Sequence, residues 1–234
     1  MIKESIILAG GLGTRLRSVV AELPKCMATV AGKPFLCYVI KQLQNQGVEK
    51  FIFSLGYKHE VIEDYINTEF KMIDAQFVIE NEPLGTGGAI KLACAKATEK
   101  NVLVLNGDTM FSINVQLLAA AQTAYSADCT LSLKPMQNFD RYGVVELNAD
   151  RSIASFKEKQ FYKEGLINGG IYALQTAHFL QEKLPEKFSF EKDYLEKYYN
   201  QRKMYGNIQD EYFIDIGIPE DYQRAQIEFK DKTF

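Results

Sequence analysis

Hydrophobic positions along the chain fall into two rhythms. Through the first half, mostly apolar runs at residues 5–8, 51–55, 76–79 and 102–105 alternate with stretches of helical spacing at 35–46, 60–66, 88–97 and 115–124. Short apolar runs bounded by polar or glycine positions predict strands covered on both faces, and the 3.6-residue spacing between them predicts the covering helices. Gly47 marks the end of the first helix. Such strand–helix alternation predicts an α/β fold around a mainly parallel sheet. After residue 127 the rhythm changes, and short strands at 130–133, 143–147, 153–156 and 170–173 follow one another with few helices between them. They predict an antiparallel extension of the same sheet or a small lid. Helical spacing returns at 177–183, 190–199 and 220–229. No repeat, linker or low-complexity tract interrupts the pattern, so residues 1–234 are expected to form one domain, with residues 1–127 as one half and 128–234 as the other.

Composition narrows the classes of function. A chain of 234 residues that is 47% hydrophobic and 24% charged reads as globular, with a sizeable core. Its net charge of −3 argues against a general nucleic-acid binder, although Arg15, Arg17 and Lys25 concentrate positive charge near the N-terminus. Cysteines stand at 26, 37, 94 and 129 without a Cys-x-x-Cys pair, and the two histidines are His59 and His178, which excludes the usual spacing of a structural zinc site. The chain opens without a signal-like segment, so four free thiols and a cytoplasmic location are expected. No apolar run is long enough to span a bilayer, so neither a membrane nor nucleic acid is an expected partner.

Candidate chemistry begins directly after the first strand, in "LAGGLGTRLRSVVAELPK". Gly10, Gly11 and Gly13 allow backbone N–H groups to approach a ligand, and Arg15 adds a planar fork suited to phosphate oxygens. No Gly-Lys-Ser/Thr closes the loop as in a Walker motif, and Leu16 stands where the last glycine of a dinucleotide loop belongs. The competing reading is an ordinary turn whose glycines serve only the bend. Asp108 follows the run at 102–105 and so stands at the carboxyl end of a strand, where open α/β sheets bind ligands; alone, Asn-Gly-Asp also reads as turn chemistry. Asp215 follows another apolar pair, where a helix-entry cap before Pro219 is the plain alternative. Glu80 and Glu82 end the strand at 76–79, and a carboxylate there could accept both the N1–H and the exocyclic amine of guanine; two exposed glutamates are the equal alternative.

Taken together, these motifs resemble the sugar-phosphate nucleotidylyltransferases. "LAGGLGTRL" with Pro24-Lys25, "EPLGTGGA", "LNGDT", "YGVVE", "FKEK", "NGGIY" and "FIDIGIPEDY" occur in that family's order over nearly the whole chain. The resemblance implies a Rossmann-like nucleotidyltransferase fold, with a nucleotide half followed by a sugar-phosphate half. It also implies the reaction. A sugar 1-phosphate oxygen attacks the α-phosphorus of a nucleoside triphosphate, pyrophosphate leaves and a nucleotide sugar forms. Arg15, Lys25, Asp108 and Asp215 are then the catalytic set, with Asp108 and Asp215 holding Mg²⁺. Leu8, Ala9, Gly10, Gly11, Gly13, Thr14, Glu80, Gly85, Thr86 and Gly107 would hold the nucleotide. Tyr142, Gly143, Glu158, Lys159, Asn168 and Gly169 would hold the sugar phosphate, with Lys159 on the phosphate and Glu158 on the hydroxyls.

Cys26 departs from the proline or small residue that often follows the Pro-Lys pair, and Gln160 stands where a proline usually follows the Glu-Lys pair. "RLRSVVAELPK" and "FSFEKDYLE" are most similar to the branch that joins GMP to D-glycero-α-D-manno-heptose 1-phosphate for bacterial surface polysaccharide, so GTP and that sugar are the favoured partners. Branches using mannose, glucose or N-acetylmuramate 1-phosphate share the core motifs and stay open. A non-catalytic nucleotide-sugar sensor would have lost one of the four catalytic residues, and a homo-oligomer is compatible with everything read so far.

Overall fold

The computed structural model describes residues 1–11, 23–230 and 232. The chain runs β1 (Glu4–Leu8), a 3-10 turn at Lys25–Met27, β2 (Thr29–Val30), β3 (Lys33–Pro34), α1 (Phe35–Asn45), β4 (Lys50–Leu55), α2 (His59–Glu69) and β5 (Asp74–Ile79). It continues with α3 (Gly85–Cys94), β6 (Asn101–Asn106), β7 (Thr109–Phe111), α4 (Val115–Ala124), β8 (Cys129–Phe139), β9 (Val144–Leu147), β10 (Ile153–Lys157) and β11 (Tyr162–Gln175). Last come α5 (Thr176–Gln181), a π-helical turn at Phe190–Leu195, α6 (Glu196–Tyr198), β12 (Met204–Ile208), β13 (Phe213–Asp215) and α7 (Pro219–Glu228).

One large sheet carries the fold in the order β10-β9-β11-β6-β1-β4-β5, with β8 paired to β11 and β12 paired to β8. β1 lies parallel to both β4 and β6, and β4 lies parallel to β5. The chain therefore leaves β1 towards one edge and later returns to its other side. Such a switch in strand order opens a crevice at the strands' carboxyl ends. Alternate residues of β1 explain the layering. Ile7 belongs to the core under α1, α2 and α4, whereas Ile6 belongs to the opposite core under α3, α5 and the 190–195 turn.

Two predicted short strands are parts of longer ones. Residues 130–133 lie inside β8, and 170–173 lie inside β11, whose fourteen residues pair antiparallel with β8 along most of their length and, on the other edge, with β6 from Ile171 to Gln175 and with β9 at Ile167. The register of β11 against β8 shifts between Asn168 and Tyr172, a bulge that re-aims the strand at "NGG". Gly169 is required there because a Cβ would stand 2.3 Å from the Phe111 ring, and Gly170 takes a positive φ of 73°. The helix expected at 190–199 is a π-helical turn followed by one short α turn, and the helix expected from residue 88 already begins at Gly85.

At the opposite end of β1 from the crevice, the nearly buried Glu4 accepts the Thr98 and Glu99 N–H groups at 2.9 and 2.6 Å and pairs with Lys50 at 2.5 Å. Burial pushes this acid up, but Lys50 and the amide donors outweigh it and hold Glu4 below its ordinary range. Among the described residues no helix is long and apolar enough to cross a membrane. All four cysteines are free and buried.

Candidate active site

Two adjoining clefts open at the carboxyl ends of β1 and β6. The first, about 540 Å³, is lined by Leu8, Ala9, Gly10 and Gly11 from the end of β1, Lys25 and Cys26 from the 3-10 turn, Glu80, Gly85 and Thr86 from the β5–α3 passage, and Asn106, Asp108 and Asp215. The second, about 450 Å³, is lined by Tyr142 and Gly143, by Lys157 at the end of β10 and Glu158 and Lys159 after it, by Asn168 in the β11 bulge, and by Glu191, Lys192 and Glu196. Asn106 lines both, so the clefts meet two residues before Asp108.

A small strand pair brings the two aspartates together. β7 follows directly after Asp108 and pairs antiparallel with β13, with Asp215 opposite Thr109. The Ile216 N–H donates to the Asp108 carbonyl at 3.1 Å, which joins the two ends again. The Gly217 N–H donates to Asp215 Oδ1 at 2.8 Å, and the Thr109 hydroxyl donates to Asp108 Oδ1 at 3.4 Å. Between the carboxylates stands the Lys25 ammonium, hydrogen-bonded to Asp108 Oδ2 and 3.4 Å from Asp215 Oδ1. Buried Cys26 and Met27 anchor the turn that carries it, and the Pro24 carbonyl closes that turn on the Met27 N–H at 2.8 Å. The Cys26 thiol, pushed up to about 12 by burial and then by the Asp108 charge, is an inert neighbour.

At the other side of the first cleft, Glu80 Oε2 accepts the Leu84 N–H at 3.1 Å and Oε1 accepts the Ser54 hydroxyl at 3.3 Å. Burial pushes this acid above its ordinary range against the pull of those two donors. Glu82, its companion in the sequence reading, is exposed and does not line the cleft.

The glycines of "GTGG" have a role that sequence reasoning missed. A Cβ on Gly85 would lie 2.6 Å from the Phe188 carbonyl oxygen, one on Gly87 2.1 Å from the Phe188 ring, and one on Gly88 2.3 Å from the Glu186 carbonyl oxygen. Gly85 also takes a φ of 72°. The Gly87 N–H donates to the Phe188 carbonyl and the Phe188 N–H to the Leu84 carbonyl, both at 3.0 Å. The start of α3 is thus clamped onto residues 186–191, and the wall of the first cleft is continuous with a wall of the second. The Gly87 N–H is used inside the protein.

The structure gathers Leu8, Ala9, Gly10, Gly11, Lys25, Glu80, Gly85, Thr86, Asp108 and Asp215 around the first cleft, and Tyr142, Gly143, Glu158, Lys159 and Asn168 around the second. Two expected residues stay outside both linings. Gly107 packs under β1 and donates its N–H to the Leu8 carbonyl at 2.9 Å, and Gly169 packs against Phe111. Gly13, Thr14 and Arg15 lie outside the described residues.

In the second cleft, the Asn168 amide donates to the Tyr172 hydroxyl at 2.8 Å while its Oδ1 accepts the Gly170 N–H at 3.0 Å. The Tyr142 phenol, pushed up to about 12 by burial and by the Asp215 charge, remains a neutral hydroxyl donor. The loop before Tyr142 is tied to α7 by an Arg141–Asp221 pair at 2.6 Å. Asn106, Lys157, Glu191, Lys192 and Glu196 also line the second cleft; they stand inside "LNGDT", "FKEK" and "FSFEKDYLE", but no individual role was expected of them from the sequence.

Comparison with known proteins follows the same outline. The D-glycero-alpha-D-manno-heptose 1-phosphate guanylyltransferase of Aneurinibacillus thermoaerophilus is 53% identical over 227 residues, covering 97% of this chain and 98% of that protein. The protein of the same name from Campylobacter jejuni subsp. jejuni is 48% identical over 219 residues, covering 94% and 96%. HddC from Yersinia pseudotuberculosis, solved in complex with GMP-PN, superposes with a TM-score of 0.85 at 38% identity, covering 98% of this chain and all of that one. The nucleotidyl transferase family model matches residues 4–232, and the chain belongs to that family.

Proposed function

We propose that this chain transfers GMP from GTP to D-glycero-α-D-manno-heptose 1-phosphate, releasing pyrophosphate and forming a GDP-linked sugar. The observation that carries the reading is the placement of Lys25, Asp108 and Asp215 where a nucleotide-sized cleft meets a second cleft lined by lysines and carboxylates. The choice of GTP and heptose is supported by the relatives that match nearly full length.

The triphosphate would enter the first cleft over the backbone of residues 9–11, with the base towards Glu80. The sugar phosphate would enter the second, with Lys159 on its phosphate and Glu158, Asn168 and Tyr142 near its hydroxyls. One sugar-phosphate oxygen forms a bond to the α-phosphorus as the bond to the β-phosphate oxygen breaks, and the electron pair leaves with pyrophosphate. Lys25 would stabilise charge moving onto that leaving group, and the family resemblance gives Arg15 the same part. Holding both phosphates at the junction removes much of the entropic barrier between two anions.

Asp108 and Asp215 fit a hard divalent cation. They are two carboxylates facing one point already held by a cation, and no third acidic or histidine side chain joins them among the described residues, which leaves room for phosphate oxygens and water. Mg²⁺ bound there would screen the phosphate oxygens; Asp108 and Asp215 would hold it, and Lys25 would turn from the carboxylates to the triphosphate.

Pyrophosphate release over a matrix of GTP, ATP, UTP, CTP and dTTP against heptose, mannose, glucose and N-acetylglucosamine 1-phosphates tests the reading. GTP with the heptose phosphate is expected to give the highest kcat/KM, and chelation of divalent cations to abolish turnover until Mg²⁺ is restored. A tenfold preference for another nucleotide or sugar, or turnover unaffected by the chelator, would overturn the corresponding part.

A further inference from the structure

Between the two clefts stands a carboxylate that the Glu158-Lys159 loop does not account for. Glu191 lies in the π-helical turn at the foot of the second cleft, half-buried. Its Oε2 accepts the Thr86 hydroxyl at 2.7 Å and the Ser189 hydroxyl at 3.1 Å. Thr86 belongs to the lining of the first cleft, and its oxygen in turn accepts the Phe190 N–H at 2.9 Å. One threonine thus receives from the backbone of the turn and donates to its glutamate, which fixes both. Ser189 caps the same turn by accepting the Lys192 N–H at 3.2 Å.

The glutamate held in this way forms no salt bridge with a described residue. Among the described residues no lysine, arginine or histidine pairs with it, although Lys192 is its chain neighbour and the cleft holds two further lysines. Both hydroxyls go to Oε2, and the Tyr172 phenol, buried beside the same carboxylate, is a further hydrogen-bonding neighbour. A carboxylate without a cationic partner accepts hydrogen bonds at both oxygens, so the part of Glu191 that lines the cleft suits a neutral O–H or N–H donor from whatever fills it. A phosphate offers none at neutral pH, whereas a sugar ring offers several.

We propose that Glu191 accepts a hydroxyl of the sugar and is a specificity-determining residue, with Thr86 as the positioning residue that aims it from the nucleotide side. The inference rests on the reading of the second cleft as the sugar-phosphate site. Geometry gives the reason that one side chain serves both clefts: the glycine clamp at Gly85–Gly88 holds Thr86 against the turn, so the nucleotide wall sets the position of the sugar-reading carboxylate. A site built to pair a hydroxyl rejects an analogue that lacks it, because the buried acceptor is left without a donor.

The test uses the full chain with saturating GTP and varied D-glycero-α-D-manno-heptose 1-phosphate, alongside its singly deoxygenated analogues. Glu191→Gln is expected to raise KM for the heptose phosphate about tenfold to a hundredfold, the worth of one hydrogen bond to a charged acceptor. GTP binding, measured by calorimetry without sugar, stays within about twofold on that same scale. The penalty of Glu191→Gln should vanish for one deoxy analogue, the one lacking the paired hydroxyl, and persist for the others. Thr86→Val should raise the sugar KM in the same direction, and Thr86→Ser should restore it, which keeps the test open if the Glu191 variant folds poorly.

An unchanged sugar KM in Glu191→Gln, or one equal penalty across all analogues, overturns the proposal. Lys159→Met separates the two levels. If it raises the sugar KM while Glu191→Gln does not, only Glu191's role falls; if neither does, the second cleft is not the sugar-phosphate site.

Discussion

Alanine at position 85 strains two things at once. Gly85 takes a φ of 72°, and an L side chain in that region costs about 1–2 kcal/mol. Its new Cβ would also stand 2.6 Å from the Phe188 carbonyl oxygen, which is backbone and cannot swing aside. To relieve the clash the 186–191 segment must retreat, loosening the Gly87–Phe188 and Phe188–Leu84 hydrogen bonds. Two backbone bonds at about 0.5–1.5 kcal/mol net each give roughly 1–3 kcal/mol beyond the conformational term. Gly32 provides the control, because its φ is 84° and nothing lies within 4 Å of its Cβ position. Gly32→Ala therefore carries the conformational term alone. For a chain of this size each kcal/mol moves Tm by about 2–4 °C, so Gly85→Ala is expected to melt roughly 2–12 °C below Gly32→Ala. Thermal unfolding by circular dichroism, at matched pH and without nucleotide, measures the difference. Equal melting temperatures would mean that the contact with Phe188 carries no energy and that the two cleft walls are not mechanically joined.

Other perturbations separate chemistry from stability. Lys25→Met removes the cation between Asp108 and Asp215 and is expected to lower kcat for pyrophosphate release by about 10²–10³, the usual cost of losing one charge-stabilising donor; a fall under tenfold would refute its role. Burial holds the Glu80 acid above its ordinary range, so the folded chain keeps a proton the unfolded chain releases, and stability falls as pH rises from the ordinary carboxylate range through that raised value. Glu80→Gln should flatten that falling limb and melt no lower than the parent at neutral pH, while GTP loses about tenfold of its advantage over ATP in competition binding.

Glu4 has the opposite sign: its lowered acid contributes stability above the ordinary carboxylate range, and that contribution is lost as pH falls through the lowered value. Glu4→Ala leaves Lys50 without its buried partner and is expected to cost about 3–5 kcal/mol, seen as a lower Tm with unchanged turnover of the folded fraction. A Tm within about 2 °C of the parent, less than 1 kcal/mol for a chain of this size, would contradict it.

What could be read from the sequence depended on how local the signal was. β1, β4 and β6 are apolar runs whose burial on both faces is decided by neighbours in the chain, and each appears in the structure near its expected bounds. β12 carries only two buried residues, Met204 and Gly206, and owes its strand conformation to parallel pairing with β8 about seventy-five positions earlier. No pattern of apolar positions announces such a strand. β7 and β13 are three residues each, and they matter because their pairing sets Asp108 beside Asp215.

The early start of α3 has a similar cause: glycines of poor helix propensity enter the helix because residues 186–191 pack on them. Lys25, Asp108 and Asp215 were legible through their motifs. Glu191 stood inside the quoted "FSFEKDYLE" but without a role of its own, which emerges only when Thr86, 105 positions away, is found holding it.

The clamp between α3 and residues 186–191 also bears on how new sugar preferences arise in this family. A scaffold whose two substrate walls were independent could change sugars by altering the β10–β11 loop alone, leaving the nucleotide wall as inherited. Here the segment that closes the second cleft shares backbone hydrogen bonds and three glycine contacts with the segment that closes the first. A graft of residues 186–196 from a relative with another sugar would therefore have to bring its own residues 84–88. The two stretches, far apart in the chain, are mechanically one part.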